Sequence, residues 1–317
     1  MENTRLTAED HGLPCDSVNE SNDQTVLLIH GTFGSRDDWD LVIPHLTTYH
    51  LLIPDLPSHG EAQHLKPFSG DYAADLIATL IATKAHGSRA HVVGWSLGAS
   101  IAISLASRHP TVVDSMIMTG YGRLPRTRFT PYLAYALWTE QRIESMMPRS
   151  VIRWLTDGAD LKPADTKVMT IELNKQIFVD GLSDDAWPSP WPAKTLIIAA
   201  TKRGIMPTDD NADIARKLAA IGSQKNKETS AVAHPGIPLQ TRPQIYFALN
   251  QHIQPHYTCS RYKDAAGREQ ADFGETLTES RCKGMRHPWP RQSPVLFAET
   301  VRCFLAERDL PGGFQQL

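Results

Sequence analysis

The sequence predicts an α/β fold, a mostly parallel central sheet with helices on both of its faces. Short apolar runs alternate with stretches of helical periodicity along most of the chain. The runs are nearly continuous in hydrophobic residues, as strands buried on both faces are. The chain has 317 residues, 41% of them hydrophobic, which is enough for one large core. We therefore expect one domain with inserted segments rather than two domains.

The predicted elements follow one another in a regular order. Strands are predicted at about 25–29, 50–54, 90–94, 114–119 and 195–200, with a last one near 279–283. Helices are predicted at about 36–47, 70–85, 97–108, 208–222 and 294–307. Residues 1–24 form a polar N-terminal segment that we expect to be poorly ordered. Sites in such sheets lie at the carboxyl ends of the strands, so the residues that follow these strands are the candidates for function.

A nucleophile-elbow pattern follows the third predicted strand. Gly94-Trp95-Ser96-Leu97-Gly98 stands between an apolar run and a stretch with helical spacing. In this context a tight turn holds a serine hydroxyl above the edge of the sheet, and the flanking residues must be small. The bare pattern also fits an ordinary small-residue loop. Ser96 is the candidate nucleophile, and the Leu97 N–H is a candidate donor to an oxyanion.

Two histidine motifs accompany the elbow. His30-Gly31-Thr32 ends the first predicted strand, where the Thr32 N–H is placed to be a second oxyanion donor. His287 follows the last predicted strand and precedes a turn and a terminal helix, so it can reach over the sheet edge toward Ser96. His234 lies in a similar segment and is the competing candidate for the base.

Together these motifs resemble the α/β-hydrolase superfamily, of the lid-bearing serine hydrolase type with an atypical acid position. The matching segments are 30–32, 55–60, 94–98, 199–207 and 284–294, in the order that the family shows. The resemblance implies a hydrolase core at 25–120 and 193–317 and an inserted helical lid at 121–192. It favours His287 over His234, because Pro294 follows His287 at the family's spacing. The N-terminal strand pair usual in the family is weak or missing in this sequence.

The third member of the expected triad departs from the family's pattern. The usual acid slot holds Arg203, which cannot orient an imidazole, and the alternative slot at 119–121 has no carboxylate. Asp209 and Asp210 are the nearest carboxylates, but they also suit the first turn of a helix capped by Thr208. An acid from farther along the chain remains open, as does a Ser96–His287 dyad without an acid. The distant candidates are Asp272 and Glu275.

Two segments interrupt the alternation of strands and helices. The segment 121–192 is rich in aromatic residues and methionine, which predicts a deep, largely apolar pocket beneath a lid. The segment 223–278 stands where a short link is expected and contains one plausible amphipathic helix, at 242–253. So long an excursion indicates a second lid element or a surface that binds a partner, which makes a homo-oligomer possible through this segment.

Composition excludes several other classes of protein. A net charge of −3 gives no sign of a positively charged surface for nucleic acid or an anionic membrane. No apolar run approaches membrane-spanning length. The start of the chain lacks the apolar region of a secretory signal, and the four cysteines lack paired spacing, which indicates a cytoplasmic protein with free thiols. No motif supports a metal site, and no cofactor is expected.

The sequence therefore predicts a serine hydrolase that acts on an ester, thioester or lactone of a largely apolar small molecule. Because the usual acid slot is occupied by arginine, a non-hydrolytic enzyme of secondary metabolism is the alternative, a lyase, cyclase or condensing enzyme acting on a polyketide-like substrate. A non-catalytic ligand receptor is the third hypothesis. The retention of both the serine and the histidine argues against it.

Overall fold

The structure is a computed structural model in which part of the chain is described. The described residues are 12–156, 158–163, 165–182, 187–200, 210–226, 287–311 and 314–317, with the backbone alone at 4–5, 244–248 and 315–316.

The described residues build one mixed sheet. Its strands are β1 (Thr4–Arg5), β2 (Cys15–Val18), β3 (Thr25–Ile29), β4 (His50–Pro54), β5 (Ala90–Trp95), β6 (Val113–Thr119), β7 (Lys194–Ala200), β8 (Gln244–Ala248) and β9 (Phe314–Gln316). They lie in the order β1-β2-β4-β3-β5-β6-β7-β8-β9. The strands from β4 to β8 in this order run parallel, and antiparallel strands flank them on both sides. The mostly parallel sheet predicted from the sequence is confirmed.

Helices cover both faces of this sheet. They are α1 (Gly70–Lys84), α2 (Leu97–Arg108), α3 (Thr130–Ser145), α4 (Arg149–Leu155), α5 (Ile171–Asn174), α6 (Ala212–Gly222), α7 (Trp289–Gln292) and α8 (Pro294–Leu305). One core cluster joins α1, α2 and α6 to one face, and the other packs α8 against the opposite face. The second cluster is centred on Trp39, Trp289 and Phe297, whose side chains are fully buried. This layering holds the carboxyl ends of β3, β5, β6 and β7 at one edge.

Five predicted strands and the helices near α1, α2, α6 and α8 occur at the positions that the sequence gives. The predicted helix at 36–47 differs, because two 3₁₀ turns, Arg36–Trp39 and Ile43–His45, take its place. Ser35 caps the first turn by accepting the Asp37 N–H, and Pro44 stands early in the second. Such short capped segments share helical spacing with a longer helix, so periodicity alone does not separate them.

The expectation for residues 1–24 is wrong over β2. Cys15 to Val18 pair antiparallel with β4, and Cys15 and Val18 are buried in the two core clusters. β1 pairs with β2 in turn, so the N-terminal strand pair that was expected to be weak or missing is present. The signal was weak because β2 is only four residues long and carries Asp16 and Ser17 in its middle.

The predicted helix at 242–253 is wrong over 244–248, where the backbone forms β8, parallel to β7. A short apolar run bounded by polar residues fits a buried strand and a helix equally well by periodicity. The β-branched and aromatic content of Ile245-Tyr246-Phe247 favours the strand. The strand expected near 279–283 lies outside the described residues.

The segment between β6 and β7 is helical. Hydrogen bonds join its helices to one another and to the core. α5 continues into a π-helical turn, Lys175–Gly181. Gln141 on α3 and Asn174 on α5 exchange two amide hydrogen bonds of 3.0 Å each, and Asn174 is fully buried. The Gln176 side chain accepts the Phe68 N–H at 3.0 Å, which ties this segment to the core.

Candidate active site

Ser96 occupies a strained turn between β5 and α2. Its backbone has φ +57° and ψ −114°, a conformation that costs a non-glycine residue about 1–3 kcal/mol. A Cβ on Gly94 would lie 2.4 Å from the Gly98 carbonyl oxygen, and one on Gly98 would lie 2.3 Å from that of Ile29. Only glycine therefore fits on either side of the turn. The Ser96 N–H donates to the Thr119 carbonyl at 2.9 Å, which fixes the turn to β6.

The segment after β3 lies beside the elbow. A Cβ on Gly31 would stand 3.4 Å from that of Ser96, so the backbone passes close to the serine. His30 is fully buried and bridges two strand ends, because its Nδ1 lies 2.7 Å from the Gly31 carbonyl while its Nε2 accepts the Leu56 N–H at 3.0 Å. Burial lowers the pKa of His30 to about 4, so it is a neutral structural residue.

His287 lies against a carboxylate. Its Nδ1 is 2.7 Å from Asp210 Oδ1. Burial by itself lowers the pKa of His287, but the charge and hydrogen bond of Asp210 outweigh it, and the pKa is raised above its ordinary value. With Nδ1–H donating to Asp210, Nε2 is left as a proton acceptor. Asp210 thus lies beside the outer nitrogen of His287, where a Ser96–His287 dyad would have no carboxylate.

Asp210 is held by the end of β7. Its Oδ2 accepts the Ala200 N–H at 2.8 Å, and its own N–H donates to the Ala200 carbonyl at 2.9 Å. Its side chain is 4% exposed, and that of His287 is 31% exposed. The sequence suggested that Asp210 lies in the first turn of a helix, but in the structure it precedes the helix. α6 begins at Ala212, and the Asn211 side chain caps it by accepting the Asp213 and Ile214 N–H groups.

Gly120 makes room for the imidazole. It follows β6 with φ +73°, and a Cβ there would lie 2.6 Å from His287 Cε1 and 2.9 Å from Nδ1. From the sequence, this position is notable only for the lack of a carboxylate. Its function in the structure is to leave space for His287 to lie across the end of β6.

Two tryptophans tie the serine turn to the histidine segment. The Trp95 indole N–H donates to the His287 carbonyl at 3.0 Å. Trp289, two residues beyond His287, donates its indole N–H to the Thr119 hydroxyl at 2.6 Å. Since the Thr119 carbonyl also holds the Ser96 N–H, the two segments share one anchor on β6. Sequence reasoning missed both contacts, although Trp95 stands inside the elbow motif itself.

One cavity of about 1100 Å³ brings these groups together. Ser96, His287, Asp210, Thr32 and Leu97 all line it. Apolar parts of its wall come from the core and from the helical insertion: Phe33, Trp95, Tyr121, Met169, Phe178 and Leu182.

The wall of this cavity is less apolar than the aromatic pattern of 121–192 predicts. Arg123, Glu144 and Lys162 contribute charged side chains to it. Many aromatic residues of the insertion are exposed on its outside instead, such as Tyr132 and Trp154. Trp138 is not among the lining residues and lies under the Arg142 guanidinium.

Several candidates fall outside the described residues: Asp209, Arg203, His234, Asp272 and Glu275. Within the part of the chain that the structure describes, no group of three or more His, Cys, Asp or Glu side chains could hold a metal ion. The helices of that part include none that is both long and apolar enough to cross a membrane.

Comparison with known proteins decides the family. The family model described as "Alpha/beta hydrolase family" matches residues 26–249. The chain belongs to the α/β-hydrolase family. An AB hydrolase superfamily protein of Gibberella zeae is 30% identical to this hydrolase over 294 residues, which cover 92% of this chain and 83% of the relative.

Other relatives of this α/β-hydrolase carry ester-hydrolase names. The pimeloyl-[acyl-carrier protein] methyl ester esterase of Neisseria meningitidis is 41% identical over 95 residues, or 30% of this chain and 35% of that enzyme. Among solved structures, a protein named as a lipase from Acinetobacter baumannii has 26% identity and a TM-score of 0.51, covering 69% of this chain and 79% of its own. One named as an epoxide hydrolase from Pseudomonas aeruginosa, at 14% identity, covers 96% of both chains with a TM-score of 0.55 and shows the fold alone.

Proposed function

We propose that this α/β-hydrolase is a serine esterase in which Ser96, His287 and Asp210 act as nucleophile, base and acid. One observation carries the proposal, the 2.7 Å contact between His287 Nδ1 and Asp210 Oδ1 at the rim of the cavity that Ser96 lines. An unassisted serine hydroxyl is a poor nucleophile, and an imidazole oriented by a carboxylate is the group that activates it. The esterase and lipase names of several relatives support the same reaction class.

In the proposed reaction, His287 Nε2 takes the proton of the Ser96 hydroxyl as Ser96 Oγ attacks the carbonyl carbon of the ester. The carbonyl oxygen becomes negative and accepts hydrogen bonds from the Leu97 and Thr32 N–H groups. Leu97 is the first residue of α2, so the positive end of the helix dipole adds to this stabilisation. His287 then gives its proton to the leaving alkoxide, and water hydrolyses the acyl-enzyme by the same steps in reverse.

Asp210 has a defined part in this cycle. His287 gains a positive charge when it takes the serine proton, and the carboxylate stabilises that charge while it keeps Nδ1 protonated. The bond from the Ala200 N–H to Oδ2 prevents the carboxylate from rotating away. The non-hydrolytic alternative was motivated by the lack of a carboxylate at the usual acid position. The contact of Asp210 with His287 weakens that motivation. The lyase, cyclase or condensing enzyme and the receptor are therefore the less favoured hypotheses.

The substrate that fits is an ester with a sizeable, largely apolar acyl or alcohol group, and thioesters and lactones share the required carbonyl chemistry. The cavity, at about 1100 Å³, is slightly larger than the usual range for small-molecule sites, which is about 300–1000 Å³. Phe33 and Phe178 face each other with ring centroids 6.3 Å apart in its wall. The helical insertion, which supplies Phe178 and Met169, acts as the lid and sets the choice of substrate. We propose the cytoplasm as the compartment of this enzyme, since Cys15 and Cys303 are free thiols.

The decisive experiment is covalent labelling with a fluorophosphonate probe, followed by peptide mass spectrometry. Labelling of Ser96 in the wild-type protein, and its loss in Ser96→Ala, is expected. Ser100→Ala is the matched control, because Ser100 also lines the cavity one turn farther along α2 and its hydroxyl has no described hydrogen-bond partner. A folded wild-type protein that is not labelled would contradict the esterase proposal and favour the alternatives.

A further inference from the structure

The outer side of the helical insertion exposes an unusual amount of apolar surface. Of the large hydrophobic side chains that the described part of the chain leaves exposed, all but one lie between positions 129 and 154. We call these eight residues the cap surface: Phe129, Tyr132, Tyr135, Ile143, Met146, Met147, Val151 and Trp154. The remaining one is Val295 on α8. A cluster of this kind marks an interaction site more often than a chance exposure does.

The spacing along α3 shows that the exposure is organised. Tyr132, Ala136, Ile143 and Met146 recur at intervals of three, four or seven residues and are exposed, so they form one stripe. Ala134 is buried on the opposite side of the helix, where the Gln141 amide meets Asn174. A surface helix normally places polar residues opposite its packing face. α3 places apolar residues there, so its outer face has no partner among the described residues.

The short helix α4 continues this surface. Trp154 is 69% exposed, and Met146, at the junction of α3 and α4, is 84% exposed. Arg149 and Arg153 are exposed on the same short helix as Val151 and Trp154. The Arg128 guanidinium stacks over the ring of Phe129, 4.7 Å from its centroid, so positive charge also lies directly beside an apolar side chain of the cap surface.

The charge of this segment is opposite to that of the protein. Residues 121–156 contain six arginines and two glutamates, a net charge of +4, whereas the whole chain carries −3. Five of the six arginines are exposed: Arg126, Arg128, Arg142, Arg149 and Arg153. A global sum of charge conceals such a local positive region.

We propose that the cap surface docks this protein onto an anionic phospholipid bilayer. Tyrosine and tryptophan favour the boundary between headgroups and acyl chains, and an amphipathic helix can lie in that plane with its apolar side buried. Guanidinium groups bind lipid phosphates and are attracted by the negative potential of an anionic leaflet. A second copy of the chain fits less well, since two surfaces with exposed arginines would face each other in a symmetric dimer.

The placement of the cavity agrees with this occupant. Glu140, Gln141 and Glu144 on α3 line the cavity, while the outer stripe of the same helix points away from it. In the docked protein, the lipid surface and the cavity would therefore lie on opposite sides of α3. An apolar molecule dissolved in the bilayer would then have a short route to the cavity.

The test is vesicle co-sedimentation of the full chain. We expect weak binding to phosphatidylcholine vesicles and at least tenfold stronger binding when about one lipid in three is phosphatidylglycerol, with loss of the difference in about 1 M salt. The double variant R149Q/R153Q should lower the affinity for anionic vesicles about tenfold or more, because each arginine near the surface contributes substantially. The variant M146S/W154S should lower it by a similar factor through lost apolar burial.

Matched controls separate docking from general effects. K84Q/K225Q removes two exposed lysines outside the cap surface, and Val295→Ser changes the exposed apolar side chain on α8. Both controls should bind like wild type. None of the altered side chains lines the cavity, so hydrolysis of a short soluble ester should stay close to wild type and show that each variant is folded. Arg149 Nη2 also donates to the carbonyl of Leu161, a cavity residue, at 2.6 Å, and the same assay shows whether R149Q disturbs that wall.

Three outcomes would overturn the proposal. Equal binding to neutral and anionic vesicles would remove the role of charge, and equal losses in the control variants would remove the role of the cap surface. A dimer in light scattering that M146S/W154S converts to monomer, without vesicle binding by the wild type, would show that a second copy covers the surface. Retention of wild-type protein by an acidic protein resin, without binding to anionic vesicles, would assign the surface to an acidic protein instead.

Discussion

Trp95 and His287 are joined by a hydrogen bond from the indole N–H to the main-chain carbonyl, at 3.0 Å. Trp95 immediately precedes the proposed nucleophile, so the turn that presents Ser96 also holds the backbone of the proposed base. The ring of Trp95 further lies against the imidazole, with centroids 6.3 Å apart. The relative position of Ser96 and His287 is thus set by a direct contact between their own segments.

Removing this hydrogen bond should slow catalysis without unfolding the protein. We expect Trp95→Phe to lower kcat about fivefold, because a neutral hydrogen bond contributes about 1 kcal/mol and the ring is retained. The measurement is kcat for a short ester together with the rate of fluorophosphonate labelling. The pH profile should not move, since the contact is to the backbone and not to the imidazole.

Trp39→Phe is the control for Trp95→Phe. The Trp39 indole N–H is buried without a described hydrogen-bond partner, and its ring packs edge-on against Trp95 at 6.3 Å. The same chemical change there removes no hydrogen bond. If both variants lose the same activity, the effect comes from packing and the positioning role of Trp95 is wrong.

Asp210→Asn should lower kcat by about 10⁴-fold while leaving the fold intact, as loss of the acid does in comparable triads. The asparagine carbonyl can still accept the Ala200 N–H, but its amide then offers a donor to His287 Nδ1 and favours the wrong tautomer. Asp213→Asn, on an exposed carboxylate three positions later, is the control and should keep full activity.

The pH dependence of kcat/KM tests the same pair. Asp210 raises the pKa of His287, so the wild-type acid limb should lie above the ordinary histidine value of 6.5. Activity needs the neutral imidazole and is lost as the pH falls through that pKa. In Asp210→Asn the residual activity should show its limb at lower pH. A limb that stays in place would mean that another group controls the profile.

Much of the fold can be predicted from the local pattern of hydrophobic residues, but the candidate site can be predicted only in part. The strands near Thr25, Ala90 and Lys194 are predictable because continuous apolar runs have few alternatives in a chain of this composition. Asp210 could be named only as one of several acids. Its approach to His287 depends on a pairing with Ala200 across ten residues and on the backbone path before α6. Contacts such as Trp289 to Thr119 span 170 positions and leave no trace in local periodicity.

Buried neutral histidines should make the fold acid-sensitive. Burial, with a smaller contribution from the neighbouring His30, lowers the pKa of His59 to about 3. Below pH 6.5 the unfolded chain binds a proton that folded His59 does not, so stability falls with falling pH from about 6.5 down to the folded value. Each such histidine contributes a slope of about 1.4 kcal/mol per pH unit in the middle of that window.

His59→Asn isolates this contribution. The asparagine amide can still donate to the Pro57 carbonyl, which His59 Nδ1 contacts at 2.9 Å. Urea unfolding between pH 6 and pH 4 should show a shallower decline in the variant, whatever its absolute stability. His64→Asn, on an exposed histidine nearby, is expected to keep the wild-type slope. Parallel declines in wild type and His59→Asn would show that other groups cause the acid sensitivity.

Arg291 should be a main stabilising contact of the C-terminal segment that carries His287. Its side chain is 1% exposed, and Nη1 donates to the Asp38 carbonyl and to Asp40 Oδ1, each at 2.6 Å. Its Nε donates to the Asp160 carbonyl in the helical insertion. We expect Arg291→Met to lower the free energy of unfolding by about 2–4 kcal/mol, because it leaves two carbonyls without their charged donor while the aliphatic volume is kept.

The comparison variant is Arg302→Met on α8, which removes the 2.8 Å hydrogen bond from Arg302 Nη1 to the His45 carbonyl and should cost about 1 kcal/mol. Urea unfolding measures both losses. Because Arg291 joins the insertion to the core, its loss should also raise the rate of protease cleavage within 121–192 in otherwise folded protein. Equal stability losses in the two variants, with no added cleavage, would show that Arg291 does not anchor the insertion.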